Sequence, residues 1–284
     1  MKIILSRKGF DSSSGGMPSP ILPDGKIVSL PIPCEKSPSQ LKSLNWQGKR
    51  LSKIVNELSR GRVNSKQYLH LDPDIDYSIL KNRPDHWRGA FGQMGAAQKH
   101  LANEGVSPGD LFLFFGWFKQ VERHKKLWRF KPNAPDLHII YGWLLVQEIV
   151  SVYQQETTIV EQFPWLSRHP HLNGSDNPNN SIYIADSKLP DSIAEQAGFG
   201  VFDSVKPAQI LTDTSQSKRS VWKLPVDFYP HDGKPALSYH HDLTRWKILD
   251  NKWLNLQSVA RGQEFVLDCD YYPEVLNWLR NLLI

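Results

Sequence analysis

The sequence predicts an α+β fold, a single domain over residues 1–284 with a central mixed sheet or a partly closed barrel and helices at its periphery. Two long apolar runs carry most of that expectation. "DLFLFFGWFKQVE" from Asp110 and "DLHIIYGWLLVQEIVSVYQ" from Asp136 are rich in aromatic and β-branched residues and too apolar for a sheet edge, so they read as neighbouring central strands. At 284 residues, 40% of them hydrophobic, the chain can bury a substantial core, and neither an internal repeat nor a long linker divides it.

Taken in order, Lys2 to Leu5 reads as a first strand, and "ILPDGKIVSLPI" reads as a hairpin turning on Asp24-Gly25. "SPSQLKSLN" is helix-like after a serine cap, and "KRLSKIVNELSRG" places Leu51, Ile54, Val55 and Leu58 on one helical face before Gly61 stops it. "YLHLDPDIDY" returns to strand and breaks at Pro73. "FGQMGAAQKHLANEGVSPGD" predicts a helix with glycines at its start and Gly105 as a left-handed cap. After the two central runs, "SRHPHLNGSDNPNNS" is a loop, "SIYIAD", "SVWKLP" and "EFVLD" are strands, and "PEVLNWLRNLL" is a closing helix that packs Val275, Leu276, Trp278, Leu279 and Leu282 inward.

Charge and cysteine usage narrow the function classes. Thirty-four basic against 29 acidic residues give a net charge of +5, which favours polyanionic partners. The densest basic stretch, Lys119 to Lys131, interleaves Trp128 and Phe130; a solvated hairpin accounts for it equally well. Cys34 and Cys269 are isolated, so neither a disulfide framework nor a cysteine zinc site is expected and a reducing cytoplasm fits. No run approaches the ~20 apolar residues of a membrane span, and no membrane partner is expected.

Several stretches bear chemistry. In "SRKGFDSSSGG", a strand running into a serine-glycine turn can aim backbone amides at an anion, with Arg7 as a forked cation, Ser12, Ser13 and Gly15 in the turn, and Asp11 as an acid/base or orienting carboxylate. The glycine-lysine-serine ending of a P-loop is missing. The same turn also reads as a plain loop with Arg7 and Asp11 paired across it. In "LHLDPDID", His70 and Asp72 share one face of a strand, a pairing suited to acid/base work, and Asp74 lies past the proline. Asp-Pro-Asp is also an ordinary turn. Gln93 sits at the glycine-rich helix start, where free amides favour an anion; Gly92 and Gly95 would serve close packing as well. His169 and His171 stand two apart in a loop beside Arg168, yet two imidazoles do not complete a metal site, and no metal set is expected. Trp117 and Trp143 occupy matching contexts, "FFGWF" and "IYGWL", that could open a slot for a stacked base, although core packing explains most aromatics.

On "SRKGFDSSSGGMPSPILPDG", "LHLDPD", "GQMGAAQKHL", "GDLFLFFGWF", "LHIIYGWL", "HPHL" and "RGQEFV", the chain resembles the nucleotide-modification-associated domain family, the third domain so described, from Met1 to Val266. The resemblance implies base or nucleotide modification in phage-like or mobile-element settings, with arginine, aspartate and histidine positions in an enzymatic role. It names no reaction and no cofactor. A local resemblance of Gly109 to Val150 to PUA and EVE barrels implies instead a reader of modified bases. The first reading makes Asp11, His70, Asp72 and His169 catalytic and gives Arg7, Ser12, Ser13, Gly15, Gln93, Trp117, Trp143 and His171 to the substrate, a nucleotide or DNA. Other nucleotide-modification enzymes are its expected partners. The second keeps Trp117 and Trp143 as a base pocket without catalysis. A third, a metal nuclease on His70, Asp72 and Asp74, lacks a full ligand set.

Overall fold

The computed structural model describes residues 1–46, 49–234 and 236–284. The chain begins with strands β1 (Lys2–Arg7), β2 (Ser19–Ile21), β3 (Ser39–Gln40), β4 (Asn45–Trp46) and β5 (Lys49–Arg50), then helix α1 (Leu51–Leu58) and strand β6 (Tyr68–Leu69). Next come β7 (Ala90–Met94), α2 (Gly95–Asn103), β8 (Leu111–His124), β9 (Leu127–Phe130), β10 (Leu137–Ser151), α3 (Glu156–Gln162) and β11 (Asn180–Ala185). The last third holds β12 (Phe199–Val201), β13 (Val221–Pro225), β14 (Trp246–Ile248), β15 (Trp253–Gln257), β16 (Glu264–Asp268) and α4 (Val275–Leu283).

A mixed sheet in the order β16-β1-β8-β10-β11-β7 organises the molecule, with β2, β9 and β12 paired onto its middle strands and β13-β15-β14 forming a second, smaller sheet. β1 runs parallel to β8, while β8 and β10 are antiparallel neighbours at the centre, as their apolar sequences require. Both faces of β8 are covered: Leu111, Leu113 and Phe115 join the core shared with the small sheet and α4, and Phe112, Phe114 and Phe118 join the core on the opposite face. That is why the strand reads as an unbroken apolar run rather than an alternating one.

β10 keeps its own pattern only by slipping once. The register shifts between Ile140 and Gly142, so Ile139 and Tyr141 share one face with Leu144 and Val146 further along. One extra residue inverts the alternation. Gly142 tolerates this because a Cβ there would come within 2.5 Å of Ile75 and 2.7 Å of the Gly200 carbonyl.

The sheet does not close into a hydrogen-bonded barrel. Its two outer strands are instead tied by side chains: Gln93 on β7 donates to Glu264 on β16, and Lys8, just past β1, donates to the same carboxylate at 2.8 Å. α4 packs as expected, with Leu279 and Leu282 buried and Trp278 edge-on to Phe228 at 5.1 Å.

Several local expectations need correction. "FGQM" is not a helix start but strand β7, with α2 beginning only at Gly95, because Phe91 and Gln93 alternate onto one face while Gly92 faces the other way. "SPSQLKSLN" forms a two-residue strand and one 3-10 turn, too short a segment for helical cooperativity. The Asp24-Gly25 turn exists, but only Ile21 and Ile27 pair across it. Helix α3, between β10 and β11, is an addition to the elements that the sequence predicts.

Candidate functional site

The segment leaving β6 runs along the open edge of β7. Asp74 and Ala90 exchange both backbone hydrogen bonds, at 2.8 and 3.0 Å, and two residues further along the Gly92 amide, lacking a strand partner, donates to the Asp72 carboxylate at 2.7 Å. A sheet edge must satisfy its amides, and here an aspartate side chain does it. Asp74 is committed elsewhere: Arg83 grips both its oxygens at 2.6 Å and stacks over Trp87. A metal set of His70, Asp72 and Asp74 is therefore not assembled.

Asp72 instead gathers three imidazoles. His70 Nε2 lies 3.7 Å and His171 Nε2 3.6 Å from Oδ2, while His169 Nε2 lies 3.5 Å from Oδ1. The carboxylate is 3% exposed, and His169 and His171 are buried with it; His70 remains half-buried at the rim. His169 and His171 come from the 3-10 turn Pro170–Gly174 and its cap, and the ring of His171 lies flat against Gly92, where a Cβ would come within 2.3 Å of it. Glycine at 92 is thus required by the histidine across the strand.

The hydrogen-bond network fixes the tautomers. Asn180 on β11 gives both amide hydrogens to the carbonyls of His171 and Gly174, so its oxygen faces His171 Nδ1 at 2.8 Å and that nitrogen carries the proton. With Nδ1 turned to Asn180, His171 Nε2 points toward Asp72. In His169, Nδ1 accepts from the His171 amide, which leaves the proton on Nε2, a buried atom without a hydrogen-bond partner. Burial alone would raise the Asp72 carboxyl, but His169, His171 and His70 outweigh it and hold it well below the usual carboxylate range. Burial likewise lowers His169, with Asp72 opposing.

Asp72 also lines a cleft walled by Val28, Trp46, Leu71, Ile75, Tyr141 and Phe202, with Asp74 and Asp76 at its polar side. The Tyr141 hydroxyl is held above its ordinary pKa by burial, with Ser29 opposing and the charges of Asp72 and Glu264 adding to the effect.

The remaining expected site residues lie in other places. Asp11 Oδ1 accepts from Ser13 N, Ser13 Oγ and Ser14 N at 2.6–2.8 Å, so the turn's amides already hold an anion, their own aspartate. Ser12 is exposed, and Gly15, at φ +87°, covers the Phe10 ring where any side chain would collide. Arg7 donates to the carbonyls of Ala260 and Gly262, and burial lowers its pKa with Asp11 opposing. Gln93 reaches the same Glu264 as Lys8, which brings the opening segment beside β7 through a carboxylate. Trp117 donates to Asp136 and stacks under Arg219 at 4.3 Å; Trp143 donates to Ala197 and packs on Phe202. The two tryptophans do not share a slot. Trp143 stands opposite Leu113, four positions along β8 from Trp117, which is ~13 Å at strand rise.

Asn180, Glu264 and Tyr141 escaped the sequence reading. Asn180 closes a loop full of asparagines and carries no distinguishing spacing; Glu264, the first residue of an apolar strand, looks like an ordinary strand end.

Among the described residues no helix is long and apolar enough to cross a membrane. A family model described as nucleotide modification associated domain 3 matches residues 2–268. No curated protein and no solved structure matches the chain.

Proposed function

The chain belongs to the nucleotide modification associated domain 3 family, and on that premise we propose that it is an enzyme that modifies a nucleotide or a base of DNA, with the Asp72 cluster as its reacting centre and the adjoining cleft as the base pocket. One observation carries this reading: three imidazoles converge on a carboxylate that is 3% exposed and that lines the cleft. Burying a charge costs several kcal/mol, and a carboxylate with imidazoles beside a cleft is the arrangement that acid/base or metal-assisted chemistry needs. His70, at the rim, is the member best placed to meet a substrate. Asp11, whose acceptor atom is saturated by its own turn, shapes the loop that follows β1.

Nucleoside mass spectrometry of DNA and nucleotide pools from cells with and without the protein tests this. A nucleoside that appears with the native chain should vanish with Asp72→Asn and persist with Asp11→Asn, since asparagine keeps the oxygen that the turn amides need. Its persistence in Asp72→Asn refutes the assigned centre.

A second reading, a reader of modified bases, is favoured by the Arg219–Trp117 stack beside Arg7, because aromatic rings flanked by guanidinium groups suit single-stranded nucleic acid. DNA binding that Trp117→Ala abolishes, with no change of mass in any substrate, would establish the reader in place of the enzyme.

A further inference from the structure

We propose that His70 Nε2, Asp72 Oδ2 and His171 Nε2 ligate a divalent first-row transition-metal ion, with an open coordination position, and that Asn180 and His169 are its outer-sphere partners. What such an ion does to a nucleotide rests on the reading above; that it binds does not.

The first argument is one of spacing. His171 turns Nδ1 to Asn180, so its Nε2 faces Asp72 Oδ2 across 3.6 Å of buried space. A buried carboxylate oxygen facing imidazole nitrogens calls for a cation or a proton between them. His70 Nε2 adds a second nitrogen to the same oxygen at 3.7 Å. None of these separations is a hydrogen bond, which would be ~2.7–3.2 Å.

They do match a shared ion. Metal bonds of about 2.0–2.1 Å at tetrahedral angles hold neighbouring ligand atoms about 3.3–3.4 Å apart, close to the separations of both nitrogens from Oδ2. One ligand atom from each of His70, Asp72 and His171 lies within 4.8 Å of the others.

The outer sphere points the same way. Metal-bound imidazoles typically give their far N–H to an oxygen that fixes tautomer and ring, the part Asn180 plays for His171. Asp72 divides its oxygens: Oδ1 takes the Gly92 amide and faces the His169 N–H, which leaves Oδ2 for the ion. His169 Nε2, buried without a hydrogen-bond partner, thus aims at the non-ligating oxygen of the same carboxylate. Two imidazoles and one carboxylate, without thiolate, suit Zn²⁺, Fe²⁺, Mn²⁺ or Co²⁺ rather than Ca²⁺.

The experiment strips the full-length protein with a chelator and titrates it with Zn²⁺, Mn²⁺, Co²⁺ and, without oxygen, Fe²⁺. Uptake is read by elemental analysis and calorimetry, and Co²⁺ also by its visible bands. One ion per chain is expected, lost in His70→Ala and Asp72→Asn, and weakened about 10–100-fold in Asn180→Ala. Asp11→Asn should bind as the native chain does. Should the buried variants fail to fold, imidazole resonances of the native protein still decide: Zn²⁺ should shift those of His70 and His171 and leave His100, hydrogen-bonded to Ser238, in place. Uptake well below one ion per chain for all four metals, or full uptake by a folded His70→Ala/Asp72→Asn double variant, overturns the site. A stoichiometric ion without any nucleoside product supports the metal and removes the catalytic reading, whereas product formed by chelator-treated protein removes the metal and keeps the catalysis.

Discussion

Glu264 and Lys8 form a nearly solvent-free ion pair, Nζ to Oε1 at 2.8 Å with side-chain exposures of 1% and 11%, at the seam where the two outer strands of the main sheet meet. Gln93 adds a second donor to the same oxygen, and Oε2 has no hydrogen-bond partner among the described residues. Lys8→Met should therefore destabilise the protein by about 3–5 kcal/mol, the usual consequence of stranding a buried charge. Urea denaturation measures it. A loss below about 1 kcal/mol would mean that the seam is wet.

Gly92→Ala should damage the site more than the fold. The new methyl would come within 2.3 Å of the His171 ring, and that ring, pinned by Asn180, has to leave its position. Overpacking of this kind costs about 1–3 kcal/mol. Thermal unfolding should show that modest loss, while nucleoside formation falls to background. Native product yield in Gly92→Ala would detach His171 from function.

Stability should decline on mild acidification, and His138 is the main cause. Burial, reinforced by Arg219 and Arg7, lowers this imidazole to about 3, and its Nδ1 accepts from Trp222 Nε1 at 3.0 Å. The unfolded ring protonates near 6.5, so below that pH the unfolded chain binds the extra proton and the contribution present above 6.5 is lost progressively toward 3. At pH 5 the loss is about 2 kcal/mol. His240, lowered by burial to about 4, adds to the same window. Unfolding free energies at pH 7 and pH 5 should differ less in His138→Asn, which keeps an acceptor for Trp222, and an unchanged difference would refute the assignment.

Trp143→Ala should cost about 3–5 kcal/mol, as large-to-small changes in a core do. The ring fills the space over Gly200, where a Cβ would come within 2.9 Å of it, and its N–H is spent on the Ala197 carbonyl. Trp117→Ala, at a half-buried position, should cost less and act on nucleic-acid binding instead. Denaturation and fluorescence titration of both variants separate the two roles; equal stability of Trp143→Ala and the native chain would argue against a structural tryptophan.

Residues 70–72 and 169–171 were each legible as pairs of reactive side chains, but their union was not. "HPHL" alone offers two imidazoles, and "LHLDPD" one imidazole and two carboxylates. The error at "FGQM" shows why. Read as a helix start, it offered amides to an external anion; as strand β7 it offers the Gly92 amide to Asp72, an anion of the same chain. The turn at Asp11 repeats the lesson, since its amides also hold an internal carboxylate.

The sequence by itself determined the central pair β8 and β10, the opening strand β1, the amphipathic helices α1 and α4 and the α+β class, because periodicity and apolar content act over a few neighbouring residues and need no partner to be recognised. Only the tertiary structure decided that the sheet stays open, that Glu264 seals it, and that His70, Asp72, His169 and His171 meet across the edge of β7. Those contacts join positions about a hundred or more residues apart, and their geometry follows from which strand edge is left unpaired and which position is a glycine, neither of which a local pattern encodes.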